Sequence, residues 1–269
     1  MAWAARRSDG SVAGVGFDRN HAPSSPGIAI VDINDDRAAQ ILNGSIKLQQ
    51  CFDDSGSIPM MTHVQSMQKR RAPQRSYTTQ YPAMMLDSDV VTMIDLAHRL
   101  PDNAIAVEIG SRLGGSAKIL LDNATRIKRL YCIDSEWADP ISTTLHGDPA
   151  MQTMRDQWQL DQFDSCYDFA KNLLSGYKNV RLLAASSPYD FAWWSEPVDF
   201  VFEDSSHANP QLRDNLDFWI AHLKPGGIIA GHDYKNRVWP DVSIEADALS
   251  QRLGAELHVA GTVWWMRKL

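Results

Sequence analysis

The residues best able to do chemistry in this chain stand at the ends of apolar runs. Val198 to Asp204 (VDFVFED) closes in the adjacent carboxylates Glu203 and Asp204, and Ser205, Ser206 and His207 follow. Ile228 to Tyr234 (IIAGHDY) closes in His232 and Asp233. Glu203, Asp204 and Asp233 are hard oxygen ligands of the kind that suit Mg²⁺. His207 and His232 are the side chains able to take a proton near neutral pH, and for each the ordinary alternative is a structural hydrogen bond at a strand end. A third run, Lys128 to Asp134 (KRLYCID), also ends in an acid.

A glycine turn supplies the second piece of chemistry. Ala104 to Ser116 (AIAVEIGSRLGGS) is an apolar strand, a tight turn and the start of a helix continuing through Ala117 to Leu121. Free N–H groups at such a helix start cradle a polar ligand, and glycine lets the ligand approach the backbone. Asp134, at the end of the next strand of the βαβ unit, is placed to accept hydrogen bonds from both hydroxyls of a ribose; the plain alternative is a cap. The glycines do not follow the dinucleotide spacing G-x-G-x-x-G. Arg112 stands where the second glycine would be, and the pattern is Glu108-x-Gly110-x-x-x-Gly114.

The elements that must position these groups read as follows. Asp87 to Arg99 is an amphipathic helix that Asp87 or Ser88 can cap, and a nucleotide domain begins near residue 84. After the strand ending at Asp134 comes an insertion over 138–170, polar and aromatic, with a helix from Met151 to Phe163, and we expect it to act as a lid. Phe169 to Leu174 ends a helix; Asn179 to Ser187 is a strand; Pro188 to Trp194 is a short helix or turn. A helix over Pro210 to Leu223, a sharp turn at Lys224 to Gly227, a strand from Ile228, a helix over Ser243 to Leu253 and two β-rich runs, Glu256 to Ala260 and Gly261 to Met266, complete the chain. The fold expected is α/β: a doubly wound, mostly parallel sheet with an antiparallel edge strand, plus an N-terminal extension over 1–83. Within that extension, 1–30 is rich in Gly, Ser, Ala and Pro and reads as a disordered or loosely attached arm, Gly27 to Ile33 as a short strand and Arg37 to Leu48 as a weak helix. Lys69, Arg70, Arg71 and Arg75 form a basic cluster, a solvated face or part of a lid.

Composition narrows the function classes. The chain has 269 residues, 44% hydrophobic and 22% charged, with a net charge of −7. That is an ordinary globular balance, and the acidity argues against a nucleic-acid partner gripped by its phosphates. No apolar run approaches about 18 residues, so no membrane span is expected. Arg6-Arg7 is followed by Ser8-Asp9-Gly10-Ser11 and no apolar stretch, so no secretory signal is expected. Cys51, Cys132 and Cys166 give neither a metal spacing nor a disulfide framework, and a reducing, cytoplasmic setting is expected.

Glu108-x-Gly110-x-x-x-Gly114 resembles motif I of class I S-adenosylmethionine-dependent methyltransferases. The resemblance sharpens in Val198 to His207 and in Leu223 to Tyr234 (LKPGGIIAGHDY), which are similar to the F-I-D-x-x-H and K-P-G-G-x-x-x-G-H-D-Y strand ends of the small-molecule branch. It covers about 84–269. It implies a Rossmann-like sheet and S-adenosyl-L-methionine as cofactor. Glu108, Gly110, Ser111 and Gly114 would then line its methionine part, with Asp204 nearby and Asp134 on the ribose. Ser186 and Ser187 would meet the adenine, and many members carry Asp where Ser186 stands. Asp204, His207, His232 and Asp233 would face the acceptor. Adjacent Glu-Asp before a small-small-His run is similar to metal-dependent sugar O-methyltransferases, which implies Glu203, Asp204 and Asp233 as ligands of Mg²⁺; catechol-type members carry Asn where Tyr234 stands. Methyl transfer is an in-line displacement, and a hydroxyl acceptor must lose a proton, to a histidine or with help from a metal. The expected activity is methylation of a small-molecule hydroxyl, with catalytic His207, His232 and Asp204 and a homo-oligomer built through the N-terminal arm. The alternatives are a methyltransferase fold without turnover and a nicotinamide-dependent oxidoreductase, against which the glycine spacing speaks.

Overall fold

The structure, a computed structural model, describes residues 2–7, 12–16, 28–33, 77–137, 141 and 149–269. The chain divides into two units, Met1–Arg71 and Ala72–Leu269. Residues 77–83, placed in the extension by the sequence reading, therefore belong to the second unit. The expected helix at Arg37 to Leu48, the basic cluster Lys69 to Arg75, and residues 138–140 and 142–148 of the insertion lie outside the described residues.

In the first unit β1 (Ala2–Arg7), β2 (Val12–Gly16) and β3 (Ile28–Ile33) form an antiparallel sheet in the order β2-β1-β3. Within the stretch read as a disordered or loosely attached arm, β1 and β2 are strands that the residue pattern did not announce. Trp3, Val12 and Val15 favour extended backbone, but their runs are short and set among Gly, Ser and Asp, so no period emerges.

The second unit is built on one seven-stranded sheet. Its elements are α1 (Asp87–His98), β4 (Ala104–Ile109), α2 (Gly115–Asn123), β5 (Ile127–Asp134), α3 (Pro149–Trp158), α4 (Cys166–Leu173), β6 (Val180–Ala184), β7 (Val198–Glu203), α5 (Gln211–His222), β8 (Leu223–Gly231), α6 (Pro240–Leu253), β9 (His258–Ala260) and β10 (Val263–Arg267). The strand order is β6-β5-β4-β7-β8-β10-β9, parallel from β6 to β8, with β10 antiparallel to both β8 and β9. This is the doubly wound α/β sheet with an antiparallel edge that the residue pattern implied. The chain winds outward from β4 to β6, then returns to β7 on the other side, so the order reverses between β4 and β7. Ligands of such sheets bind at the carboxyl ends of the strands at that reversal.

Burial follows from the layering. All six residues of β4 are buried, as a central parallel strand covered by helices on both faces requires. Alternate residues feed two cores: Ala104 and Ala106 join Leu96, Leu120, Phe200 and Phe202 on one face, while Ile105, Val107 and Ile109 join Val201, Leu216 and Trp219 on the other. The register sets the strand ends level. Ile109 lies opposite both Ile133 and Glu203, and Glu203 lies opposite Gly231. Gly110, Asp134, Asp204 and His232 thus emerge side by side along one edge.

Three local expectations are corrected. The Lys224–Gly227 segment is not a turn before β8 but a bulge within it: Val198 pairs with Leu223 and Phe200 with Ile228, while Gly226 takes φ +77°. Helix α1 is capped neither by Asp87 nor by Ser88; the Asp89 carboxylate accepts the Leu86 N–H at 3.0 Å. Helix α3 stops at Trp158, before the expected Phe163, because Gln159 is left-handed, and a single 3-10 turn (Leu160–Gln162) follows. No helix among the described residues is long and apolar enough to cross a membrane.

One carboxylate ties the bulge to the centre of the sheet. Asp199 Oδ2 accepts the buried Ile105 N–H at 2.9 Å and the Lys224 ammonium at 2.8 Å. Asp199→Ala leaves that amide without a partner, so urea denaturation should show a loss of about 1–3 kcal/mol.

Candidate active site

The edge formed by the strand ends opens into a cavity of about 620 Å³. Its floor is the glycine turn. Gly110 takes φ +86° and donates its N–H to Ile133 O at 2.8 Å, while the Asp204 N–H reaches Ile109 O at 2.9 Å. A Cβ on Gly110 would sit 2.3 Å from Asp204 O, so only glycine permits this approach. Gly114, φ +76°, begins α2, and Gly110, Ser111, Gly115 and Ser116 line the cavity. Glu108 and Gly114 do not. Glu108 is fully buried beneath the turn, where it accepts the Ser111 hydroxyl at 2.5 Å, and its Oε1 has no hydrogen-bond partner. Burial raises its pKa to about 7, against the opposing pull of the Ser111 and Ser116 hydroxyls.

Asp134 stands at the wall expected of it. Its Oδ2 accepts the Arg112 N–H at 2.7 Å and its Oδ1 the Glu136 N–H at 2.8 Å, which fixes the carboxylate across the glycine turn. Burial raises its pKa, and the two backbone donors restrain the rise. Each carboxylate oxygen keeps lone-pair capacity for one further donor, as two ribose hydroxyls would require. Trp137 is buried and donates to Arg112 O at 2.6 Å, so the indole braces the turn from behind. Beyond the end of β6 Ala185 and Ser187 line the cavity and Ser186 does not: its N–H turns away to Asp190 Oδ2 at 2.7 Å.

Beside the glycine turn is a charged cluster. Asp204, His232 and Asp233 offer donor atoms within 4.8 Å of one another, a spacing able to hold a metal ion. Asp233 takes φ +61°, a strained conformation for a non-glycine residue, and this turns its carboxylate toward the two imidazoles. His207 Nε2 lies 3.0 Å from Asp233 Oδ2 and 3.5 Å from Asp204 Oδ1, without the alignment of a hydrogen bond, and its ring stacks on Trp239 with centroids 5.1 Å apart. Burial opposes the charge on His207, but Asp204 and Asp233 outweigh it and raise its pKa to about 9. The same carboxylates, with Asp89, raise His232 despite its burial. Asp233 is held well below the ordinary carboxylate range by both histidines, again against burial.

Glu203 is not in this group. Its Oε1 accepts the Ser205 N–H and hydroxyl at 3.1 and 2.7 Å and the Ser206 N–H at 3.3 Å, and burial lifts its pKa to about 7. As the last residue of β7 it shapes the loop to His207 through these contacts, and its donor atoms are not among those that gather with Asp204. His232 stands with Asp204 and Asp233 in the group instead. One imidazole and two carboxylates depart from the all-oxygen set that suits Mg²⁺ and admit Mn²⁺, Fe²⁺, Co²⁺ or Zn²⁺. The residues that sequence reasoning missed are Asp89 and Thr262 behind His232, Glu136 beside Asp134, and Trp239 over His207. Glu136 and Trp239 adjoin the strand ends at Asp134 and Tyr234, and that proximity was their one signal.

Residues 107–234 match a family model described as a methyltransferase domain. No curated protein matches the chain. Among solved structures, the chain is similar to an rRNA methylase from Streptococcus thermophilus, at 18% identity over 66% of this chain and 95% of that one, with a TM-score of 0.45. It is also similar to precorrin-6y C5,15-methyltransferase from Geobacter metallireducens GS-15 (14% identity, 69% and 88% covered, TM-score 0.46) and to a SAM-dependent O-methyltransferase from Thermotoga maritima (13%, 67% and 64%, 0.43).

The buried Glu108 carries a pH signature. With its pKa raised above the usual 4.5, it favours the fold fully below pH 4.5, and that contribution is lost as pH rises through 7. Denaturant titrations of Glu108→Gln should show less stability lost between pH 4.5 and pH 8 than the parent, by on the order of 3 kcal/mol. Equal losses in the two proteins would place the ionisation elsewhere.

Proposed function

We propose that the chain is an S-adenosylmethionine-dependent methyltransferase whose acceptor is a small-molecule hydroxyl. The observation that carries the proposal is the pairing, in one cavity, of the glycine turn braced by Asp134 with the Asp204–His232–Asp233 group beside it. S-adenosylmethionine supplies an electrophilic methyl on a sulfonium. The turn's backbone and Asp134 would hold its methionine and ribose, and Ala185 and Ser187 would border its adenine. The acceptor oxygen would attack the methyl carbon in line with the departing sulfur, the C–S bond would break, and S-adenosylhomocysteine would leave. The hydroxyl proton must go to the protein, and His207 is the imidazole we assign to it, facing the cavity with an unaligned Nε2. A divalent cation held by Asp204, His232 and Asp233 would take up the charge of both carboxylates and acidify the hydroxyl, and so would release His207 to receive the proton. His232, held on both sides, belongs to the cation group on this reading. The net charge of −7 favours a small acceptor over a polyanionic one. The methyltransferase-domain match spans the turn and the cluster alike.

Calorimetric titration of S-adenosylhomocysteine tests the reading. Micromolar binding is expected, weakened at least about tenfold in Asp134→Ala, since two charge-assisted hydrogen bonds are lost. Absence of binding in the parent protein, or NAD binding in its place, would contradict it.

A further inference from the structure

We propose that Asp89 is a positioning residue for His232: it holds the ring so that Nδ1 faces Asp204 and Asp233. The proposal deepens the reading of Asp204, His232 and Asp233 as a cation group and rests on that reading for its functional consequence. Asp89 is a fully buried carboxylate on the first turn of α1, far in sequence from every motif of the site. Burying a charge is costly unless it is matched, and matched by well-placed donors. Here Oδ1 accepts the Thr262 N–H at 2.8 Å, and Oδ2 faces the Leu86 N–H at 3.0 Å, the Thr262 hydroxyl at 3.1 Å and His232 Nε2 at 3.3 Å. A capping box alone would need just the Leu86 contact, which an acidic side chain at this helix position makes without burial.

The proton assignment follows from the Thr262 hydroxyl. It has one hydrogen, which it donates to Asp89 Oδ2. Toward His232 Nε2, 2.9 Å away, it can then only accept. Nε2 therefore carries a hydrogen, shared between the Thr262 oxygen and Asp89, and Nδ1 is the nitrogen presented at 3.6 Å to both Asp204 Oδ1 and Asp233 Oδ2. A carboxylate behind an imidazole fixes the tautomer and strengthens the far nitrogen as a ligand. The hairpin turn is shaped to permit this. Gly261 takes φ +62°, and a Cβ there would fall 2.1 Å from Asp89 Oδ1. The ring is 8% exposed and sits between the two acidic groups with little room to rotate.

The test uses Asp89→Asn, which keeps the shape and removes the charge, with two readouts. The first is the His232 Nε2–H proton in the metal-free, ¹⁵N-labelled protein, assigned by its absence in His232→Gln. A slowly exchanging downfield signal is expected in the parent and should be lost in Asp89→Asn. The second is Mn²⁺ affinity, expected to fall about 10- to 100-fold while S-adenosylhomocysteine affinity stays within about twofold. Persistence of the ring proton with unchanged Mn²⁺ affinity in Asp89→Asn would overturn the proposal. If the parent binds no Mn²⁺, the cation reading fails by itself, and the ring proton still decides the tether. Should Asp89→Asn fail to fold, Thr262→Val removes the shared hydroxyl and should shift both readouts in the same direction by less; no shift would overturn the proposal.

Discussion

The site depends on how closely the ends of β4 and β7 approach. These neighbouring strands run parallel, the chain leaves them toward opposite edges of the sheet, and their next residues are Gly110 and Asp204. The Asp204 N–H reaches back to Ile109 O, and the absent side chain of Gly110 leaves room for the Asp204 carbonyl. That contact fixes the glycine turn and the carboxylate relative to each other before any ligand arrives. Preorganisation of this kind matters for a displacement in which donor and acceptor must lie in line.

Charge is the second constraint. Asp89, Asp204 and Asp233 surround His207 and His232, all at least partly buried at one end of the sheet. With nothing else bound, the imidazoles carry the balancing charge, which is why both are raised and Asp233 is lowered. A cation added to the carboxylates changes who carries that charge. On the proposed reading the cluster would exchange its protons for a metal, and the strained backbone of Asp233 is the cost of aiming its carboxylate into the group.

Much of this was legible in the sequence, for identifiable reasons. A central parallel strand must be apolar throughout, so β4, β7 and β8 announced themselves, and the polar residues that close them marked the sheet's carboxyl edge. Asp134 followed from one βαβ unit. What stayed hidden was whatever depends on register or on distant contacts. Glu203 and Asp204 are adjacent, and only the level at which β7 ends decides that Asp204 faces the cavity while Glu203 caps a loop. Ser186 and Ser187 pose the same one-residue ambiguity. Asp89 could not be found at all, because its partners, His232 and Thr262, lie far along the chain and nothing local distinguishes a buried acid in a first helical turn from an ordinary cap. The Lys224–Gly227 bulge read as a turn because glycine and proline report a bend without saying whether pairing resumes along the same strand.

On the proposed function, one cavity would hold the methyl donor beside the cation group. The most direct measurement is paramagnetic relaxation of S-adenosylmethionine carrying a ¹³C-labelled methyl, bound to the protein in the presence of Mn²⁺. The account predicts strong broadening of the methyl signal, abolished when Asp204 and Asp233 are both replaced by Asn, while the cofactor remains bound. A methyl signal unaffected by Mn²⁺ in the fully bound complex would contradict it and separate the cofactor site from the cluster.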